Sequence, residues 1–281
     1  GSTDLTRQIA GEFQQQLQME YVYQSNKGPG GAHKRGFQTA TGKYIALLDH
    51  DDNYLPQKLE KQVSVFRENP ELGMVYSDAF VIDSDGNRIA QYFSFRKVVP
   101  SRGHVFRDFV YRTRCQTSTT MFSRAAVKKN VEELRPYRYA NDYNLYLKVL
   151  YEFPADFLEE PLSEHRFHPS MTSNVVGRAV YVEPVQIMDE WLERLSSEDS
   201  TIRRAILERR ADLKLRLSKW LFERDETEEA RTVYREAIQD DRCLGRSVSG
   251  RLMFHFPQAW KALRGMQIAT VFKNNSKNLA T

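Results

Sequence analysis

GKYIALLDHDDNYLP, residues Gly42 to Pro56, is the stretch whose reading decides the fold. Tyr44 to Leu48 is a continuous apolar run bounded by Gly42, too short for a membrane span and suited to a strand buried on both faces of a parallel sheet. It ends in Asp49, Asp51 and Asp52, with His50 among them. Acids this close repel one another unless a cation sits between them, and a hard divalent ion that prefers oxygen ligands is the usual one. Open α/β sheets bind ligands beyond the carboxyl ends of their strands, which is where these acids stand. Two other readings compete. The acids match several EF-hand ligand positions, but Tyr54 stands where that loop needs glycine and a strand precedes it instead of a helix. The blander one is a solvated acidic turn capping a helix that starts near Pro56.

Composition bounds the rest. With 281 residues, 41% apolar and 28% charged, the chain can bury a core and is not of a disordered type. Cys115 and Cys243 lie far apart with no CxxC spacing, which argues against a disulfide framework or structural zinc and fits a reducing compartment. The net charge of +4 is uneven: Arg242, Arg246, Arg251, Lys261, Arg264, Lys273 and Lys277 close the chain with no acid among them. A nucleic-acid reader would carry such charge on a folded patch with interleaved aromatics, so no nucleic-acid partner is expected.

In chain order, Leu5, Ile9, Phe13 and Leu17 mark a helical stripe, and Tyr21 to Tyr23 a short strand. SNKGPGG, 25–31, is a turn-rich loop whose backbone amides could cradle phosphate, with a helix over 32–41. Gln57 to Asn69 reads as a helix, Gly73 to Tyr76 as a strand, and DSDGN as a hairpin turn. Residues 90–114 are aromatic and basic without a clear period. TSTTMF, 117–122, reads as a strand, and 138–153 as a helix with Asp142 near its start, either as a cap or as a general base. PLSEHRFHPSMTS, 161–173, is a loop whose His168 is free to reach a metal. From Val185 on the pattern is helical, with a hairpin turning at Arg224-Asp225. EEARTVYREAIQDD resembles one tetratricopeptide unit without a second copy.

The order of these signals resembles the family 2 glycosyltransferases of GT-A fold. NKGPGGAHKRGFQTATGKYIALLDHDD is similar to that family's glycine-rich loop, helix and strand ending in Asp-x-Asp. YSDAFVIDSDG, TSTTMFSRAAV, NDYNLYLKVL and HRFHPSMTS resemble its later strands, base-bearing helix and closing loop. The resemblance implies an α/β fold with a mostly parallel sheet flanked by helices, N-terminally truncated, over 1–182. A helical hairpin module over 183–245 and a basic aromatic tail over 246–281 follow. It implies Asp142 as catalytic base, Asp51, Asp49 and His168 as ligands of Mn²⁺ or Mg²⁺, and Asp49, Asp52, Gly28 and Lys34 as donor contacts. His33-Lys34 stands where the family often has Arg-Asn, and Asn141 where an acid is common.

The activity so implied is inverting transfer from a nucleotide-sugar donor, a UDP-sugar first, to a glycan acceptor in the cytoplasm. The tail's own mix of Met253, Phe254, Phe256 and Trp260 with basic residues reads equally as peripheral contact with the membrane's inner face or as a poorly ordered or sheet-packed end. The competing expectation is a catalytically incomplete domain acting as an interaction module. A metal-dependent phosphohydrolase would need further His and Asp ligands that the sequence does not offer.

Overall fold

The computed structural model describes residues 1–14, 16–169, 171, 177–195 and 199–241. They belong to two units that divide between Val176 and Gly177. The basic tail expected over 246–281 lies outside the described residues, as does part of the loop after His168.

The first unit is built on one sheet with strand order β1-β5-β3-β6-β2, where β4 pairs only with β3. The strands are β1 (Tyr44–Ala46), β2 (Asn53–Tyr54), β3 (Met74–Ile82), β4 (Arg88–Gln91), β5 (Met121–Ser123) and β6 (Ala155–Arg166). The α/β class holds, but the sheet is mixed rather than mostly parallel. Only β3 and β6 run parallel, while β1·β5, β3·β5, β3·β4 and β2·β6 are antiparallel. Nor is β1 buried on both faces: it lies at the end of the strand order, Ile45 and Leu47 point inward, and Leu48 is 52% exposed.

β3 is the axis of the core. Met74, Val75, Tyr76, Ala79 and Val81 are wholly enclosed, packed with Phe109, Phe122 and Tyr146 among others. Helix α7 (Asn141–Glu152) turns an almost unbroken run of buried residues, Tyr143 to Leu150, into this core. Helices α2 (Gly28–Thr39), α3 (Lys58–Glu68) and α6 (Arg124–Asn130) complete the cover, and α6 is capped by the Ser123 hydroxyl. Helix α1 (Thr6–Phe13) forms as its stripe predicts, yet Leu5, Ile9 and Phe13 are all exposed.

Four local expectations are corrected. Tyr21 to Tyr23 is not a strand, having no pairing neighbour among the described residues. Thr117–Thr119 is a 3₁₀ turn, because the Thr119 and Thr120 hydroxyls bond back to the Gln116 and Thr117 carbonyls and compete with extended pairing. The segment 161–166, read as loop, belongs to the twelve-residue β6. Proline cannot donate to a ladder, and the β3·β6 register shifts where Asp78 meets Pro161. Finally, the helical half begins at Arg178 and carries Pro184 inside its first helix.

That second unit consists of α8 (Arg178–Arg194), α9 (Ser200–Phe222) and α10 (Thr227–Asp240), a helix more than the hairpin expected. The turn falls at Asp225, in the left-handed region at φ 64°. Leu217, Trp220, Leu221, Phe222, Ala230 and Tyr234 form its core, against which Tyr181 packs. Arg210 pairs with both Asp189 and Asp240, tying α8, α9 and α10 together.

Lys58 is fully buried under the sheet, its ammonium 2.6 Å from Gln62 Oε1 and 4.2 Å from the Tyr54 ring centre. Burial pushes its pKa down to about 7 from an ordinary 10.5. Between those values the unfolded chain binds one proton more than the folded chain, so stability rises with pH. Below the lower value the dependence vanishes. Denaturant midpoints should rise by the equivalent of about 1 kcal/mol per pH unit between pH 7 and 9 relative to a Lys58→Met variant. Parallel pH profiles for the two proteins would refute this.

Candidate active site

The acids after Leu48 are brought to β6 by the short pairing of β2, in which Asn53 faces Glu164 and Tyr54 faces Ser163. That register sets Asp52 against the end of β6. Its Oδ1 accepts the Arg166 amide at 3.0 Å and lies 3.1 Å from His165 Nδ1, while its Oδ2 accepts Gln116 Nε2 at 2.6 Å. Burial works to raise the Asp52 pKa, but the bonds from His165, Ser118 and Arg166 outweigh it and hold the carboxyl below its ordinary range. Asp52 is therefore a buried brace. Asp52, expected among the donor contacts in support of Asp49, has partners on both carboxylate oxygens.

Asp51 is held differently. The Arg166 guanidinium fixes its backbone carbonyl at 3.1 Å, and its Oδ2 lies 3.0 Å from His168 Nε2. Two of the three residues expected to share a metal, Asp51 and His168, are thus neighbours. The Asp49 backbone amide donates to Ser118 Oγ at 2.9 Å, and Gln116 Nε2 stands 3.5 Å from Asp49 Oδ2. Burial, and then the nearby Asp52 charge, push the Asp49 carboxyl up to about 6; Asp142 and Asp51 add to this and His33 opposes it.

Asp142 is in the first turn of α7, and its Oδ1 accepts the Tyr143 amide at 2.7 Å. Burial is the main reason its pKa is raised, opposed by the Tyr143 amide and by His33. The turn Thr117–Thr119 links Asp49 and Asp142: the Asp49 amide bonds the Ser118 hydroxyl, and the neighbouring Thr117 hydroxyl bonds Asp142. Between them stands His33 from α2, its Nδ1 2.6 Å from Asn141 Oδ1. Gly30, His33, Asn141 and Asp142 line one small cleft.

The two remaining predicted contacts fare differently. Lys34 also lines the cleft that holds Asp142, and its ammonium donates to the Glu132 and Leu134 carbonyls at 3.0 and 2.9 Å, tying α2 to the 132–134 loop. Gly28 opens α2 at φ 72°, a conformation that favours glycine, and its amide bonds Asn26 Oδ1. The N-cap residue Lys27 makes no side-chain cap bond, but Asn26 satisfies the first amide of α2 and Pro29 has none to offer. Sequence reading missed Gln116, which touches Asp49 and Asp52, and the bracing role of His165 and Arg166. A glutamine before a Thr/Ser run carries no signal until the turn is folded.

Among the described residues no group of three or more His, Cys, Asp or Glu is arranged to hold a metal. Asp51 and His168 offer one oxygen and one nitrogen, a donor pair compatible with Mn²⁺. Mg²⁺ and related ions are commonly anchored by one or two protein ligands, with substrate phosphates and water completing the shell. No described helix is long and apolar enough to cross a membrane.

Comparison with known proteins agrees with this architecture. The chain is similar to an uncharacterized glycosyltransferase of Nostoc sp., 37% identical over 32% of this chain and 29% of the relative. It is also similar to an uncharacterized glycosyltransferase of Methanocaldococcus jannaschii, 24% identical over 50% of this chain and 48% of the relative. Chondroitin synthase of Escherichia coli is 28% identical over 62% of this chain and 24% of that protein. The chain thus spans less than half the length of each of these three. Its fold is like that of the crystal structure of S. aureus TarS 1-349, with TM-score 0.50 and 15% identity, covering 92% of this chain and 80% of that one. The model of glycosyl transferase family 2 matches residues 1–131, which take in α2, β1, the acidic turn and the β3–β4 hairpin, and over that part the chain is similar to that family.

Proposed function

We propose that the chain transfers a glycosyl group, with inversion, from a nucleoside-diphosphate sugar to an acceptor hydroxyl. The observation that supports this is the meeting of Asp51 with His168 at 3.0 Å, beside a turn whose Ser118 bonds the Asp49 amide and whose Thr117 bonds the buried Asp142. Asp142 takes the proton from the acceptor hydroxyl as that oxygen attacks the anomeric carbon. Its raised pKa makes it a stronger base than an ordinary aspartate. Asp51 and His168 would hold Mn²⁺ or Mg²⁺, whose chemistry is to neutralise charge developing on the departing diphosphate. Asp52, Gln116, His165 and Arg166 keep Asp51 in place. Gly28 stands in the glycine-rich loop at the start of α2 as the expected donor contact, and a UDP-sugar is the first donor to try. The basic tail in the sequence supports a setting at the cytoplasmic face of a membrane.

The test is donor binding and donor hydrolysis by the full chain across a panel of nucleoside-diphosphate sugars, with and without Mn²⁺. Asp51→Asn is expected to weaken metal-dependent nucleotide binding by about 10- to 100-fold. Binding indifferent to both EDTA and this substitution would defeat the metal assignment. Nucleotide binding without any turnover would favour the competing view of an interaction module, which the exposed stripe on α1 suits.

A further inference from the structure

The irregular basic and aromatic region after β4 has a defined shape. α4 (Tyr92–Arg96) is pinned at its start, where Asp78 Oδ1 accepts the Phe93 amide at 2.9 Å, and at its end, where the Arg112 guanidinium donates to the Arg96 and Lys97 carbonyls. Lys97 then turns the chain in the left-handed region at φ 50°. This short rigid element lays its rings on the segment of β6 and beyond that holds the acids. Tyr92 packs edge-on against His165 at 5.9 Å, and Phe95 against Phe167 at 5.9 Å. His165 braces Asp52, and Phe167 immediately precedes His168, the neighbour of Asp51.

Two features of this ledge are unexplained by folding. Phe95 and Phe167 remain 43% and 40% exposed although they touch each other. Their faces offer the π surface on which the polarised C–H bonds of a pyranose ring rest. The cations beside them are also uncompensated. Arg88 is paired with Glu164, Arg102 with Asp156 and Arg114 with Asp108, whereas exposed Arg96 and Lys97 have no carboxylate partner among the described residues. Tyr92 connects the ledge to the acidic turn: it packs on His165, which lies 3.1 Å from Asp52, whose other oxygen accepts Gln116.

We propose that Phe95, Phe167, Arg96 and Lys97 form an acceptor subsite that takes a saccharide bearing an acid group, either a carboxylate or a phosphate. The rings hold the sugar's apolar face while the two cations select its charge. A sugar on the ledge would lie beside the Asp51–His168 pair and the Asp52 brace, and the assignment requires one of its hydroxyls to extend to Asp142. This rests on the transferase reading above.

The experiment measures equilibrium binding to the full chain with Mn²⁺ present, so that turnover is not needed. The probes are a uronate-containing oligosaccharide, its carboxyl-reduced neutral counterpart, a glycerol-phosphate oligomer, and UDP. The Arg96→Gln/Lys97→Gln double variant is expected to weaken binding of an acidic saccharide by about tenfold at low salt, the sum of two exposed ion pairs, with the neutral counterpart and UDP unchanged. Phe95→Ala/Phe167→Ala should weaken charged and neutral saccharides alike. Which acidic probe binds identifies carboxylate or phosphate as the group selected. Equal wild-type binding of charged and neutral probes, or no saccharide binding, overturns the proposal. So does an equal loss of UDP affinity in the double variant, which would assign these cations to the donor. Charge-selective saccharide binding without any UDP binding would keep the subsite and reject the transferase reading instead.

Discussion

Replacing Asp142 by Asn is expected to lower glycosyl transfer by about 10²- to 10⁴-fold, the usual contribution of a positioned general base. Nucleotide binding should stay within a few-fold of wild type. The amide has nearly the shape of the carboxylate and keeps an oxygen for the Tyr143 amide, so the first turn of α7 has no reason to change. What it lacks is the ability to accept a proton. The same assignment fixes the acid side of the pH profile. Asp142 must be ionised to act, and burial raises its pKa, so wild-type kcat/KM should fall at a pH above the ordinary aspartate range. An Asp142→Asn enzyme with near wild-type turnover, or a wild-type rate flat down to the ordinary range, would remove Asp142 from the role.

How much of this the sequence makes visible depends on the range of the interactions involved. The β1 strand and its acids are legible because both signals are local: an apolar run, then a cluster of like charges. The Asp83–Asn87 hairpin is legible for the same reason, its turn closed by Asp83 on the Asp85 and Asn87 amides. β6 was hidden because its pattern is broken by Glu159, Glu160 and Pro161, residues tolerated only because the register with β3 shifts there. The direction of the strands was misjudged because a short apolar run looks the same in a parallel or an antiparallel neighbour. The division of labour among the acids was invisible too. Asp49, Asp51 and Asp52 are alike in sequence, and only the arrival of Gln116, His165, Arg166 and His168 from distant segments makes one a brace and another a metal-type ligand.

Gly30 offers the other large expected effect, and it separates helix propensity from close packing within one helix. A methyl group at position 30 would lie 2.0 Å from the Tyr137 carbonyl oxygen, 2.9 Å from Asn141 Cβ and 3.0 Å from the Pro136 carbonyl carbon. Two of these three are backbone atoms, which cannot rotate away as a side chain can. Gly30→Ala must therefore push α2 off the 136–141 segment. Alanine's better helix propensity favours the variant by about 1 kcal/mol, but overpacking of this kind costs about 1–3 kcal/mol and sometimes more. The net change expected is a loss of stability, read as a lower melting temperature. The displacement also separates His33 from Asn141, next to the base, and a shift of about 1 Å at a catalytic group can cost about 10²-fold in rate. Gly36→Ala on the same helix is the control. Nothing lies within 4 Å of its added methyl, so propensity alone should act and stabilise by about 1 kcal/mol or less. If the two substitutions behave alike, the tight approach of α2 to the start of α7 is not what positions Asp142.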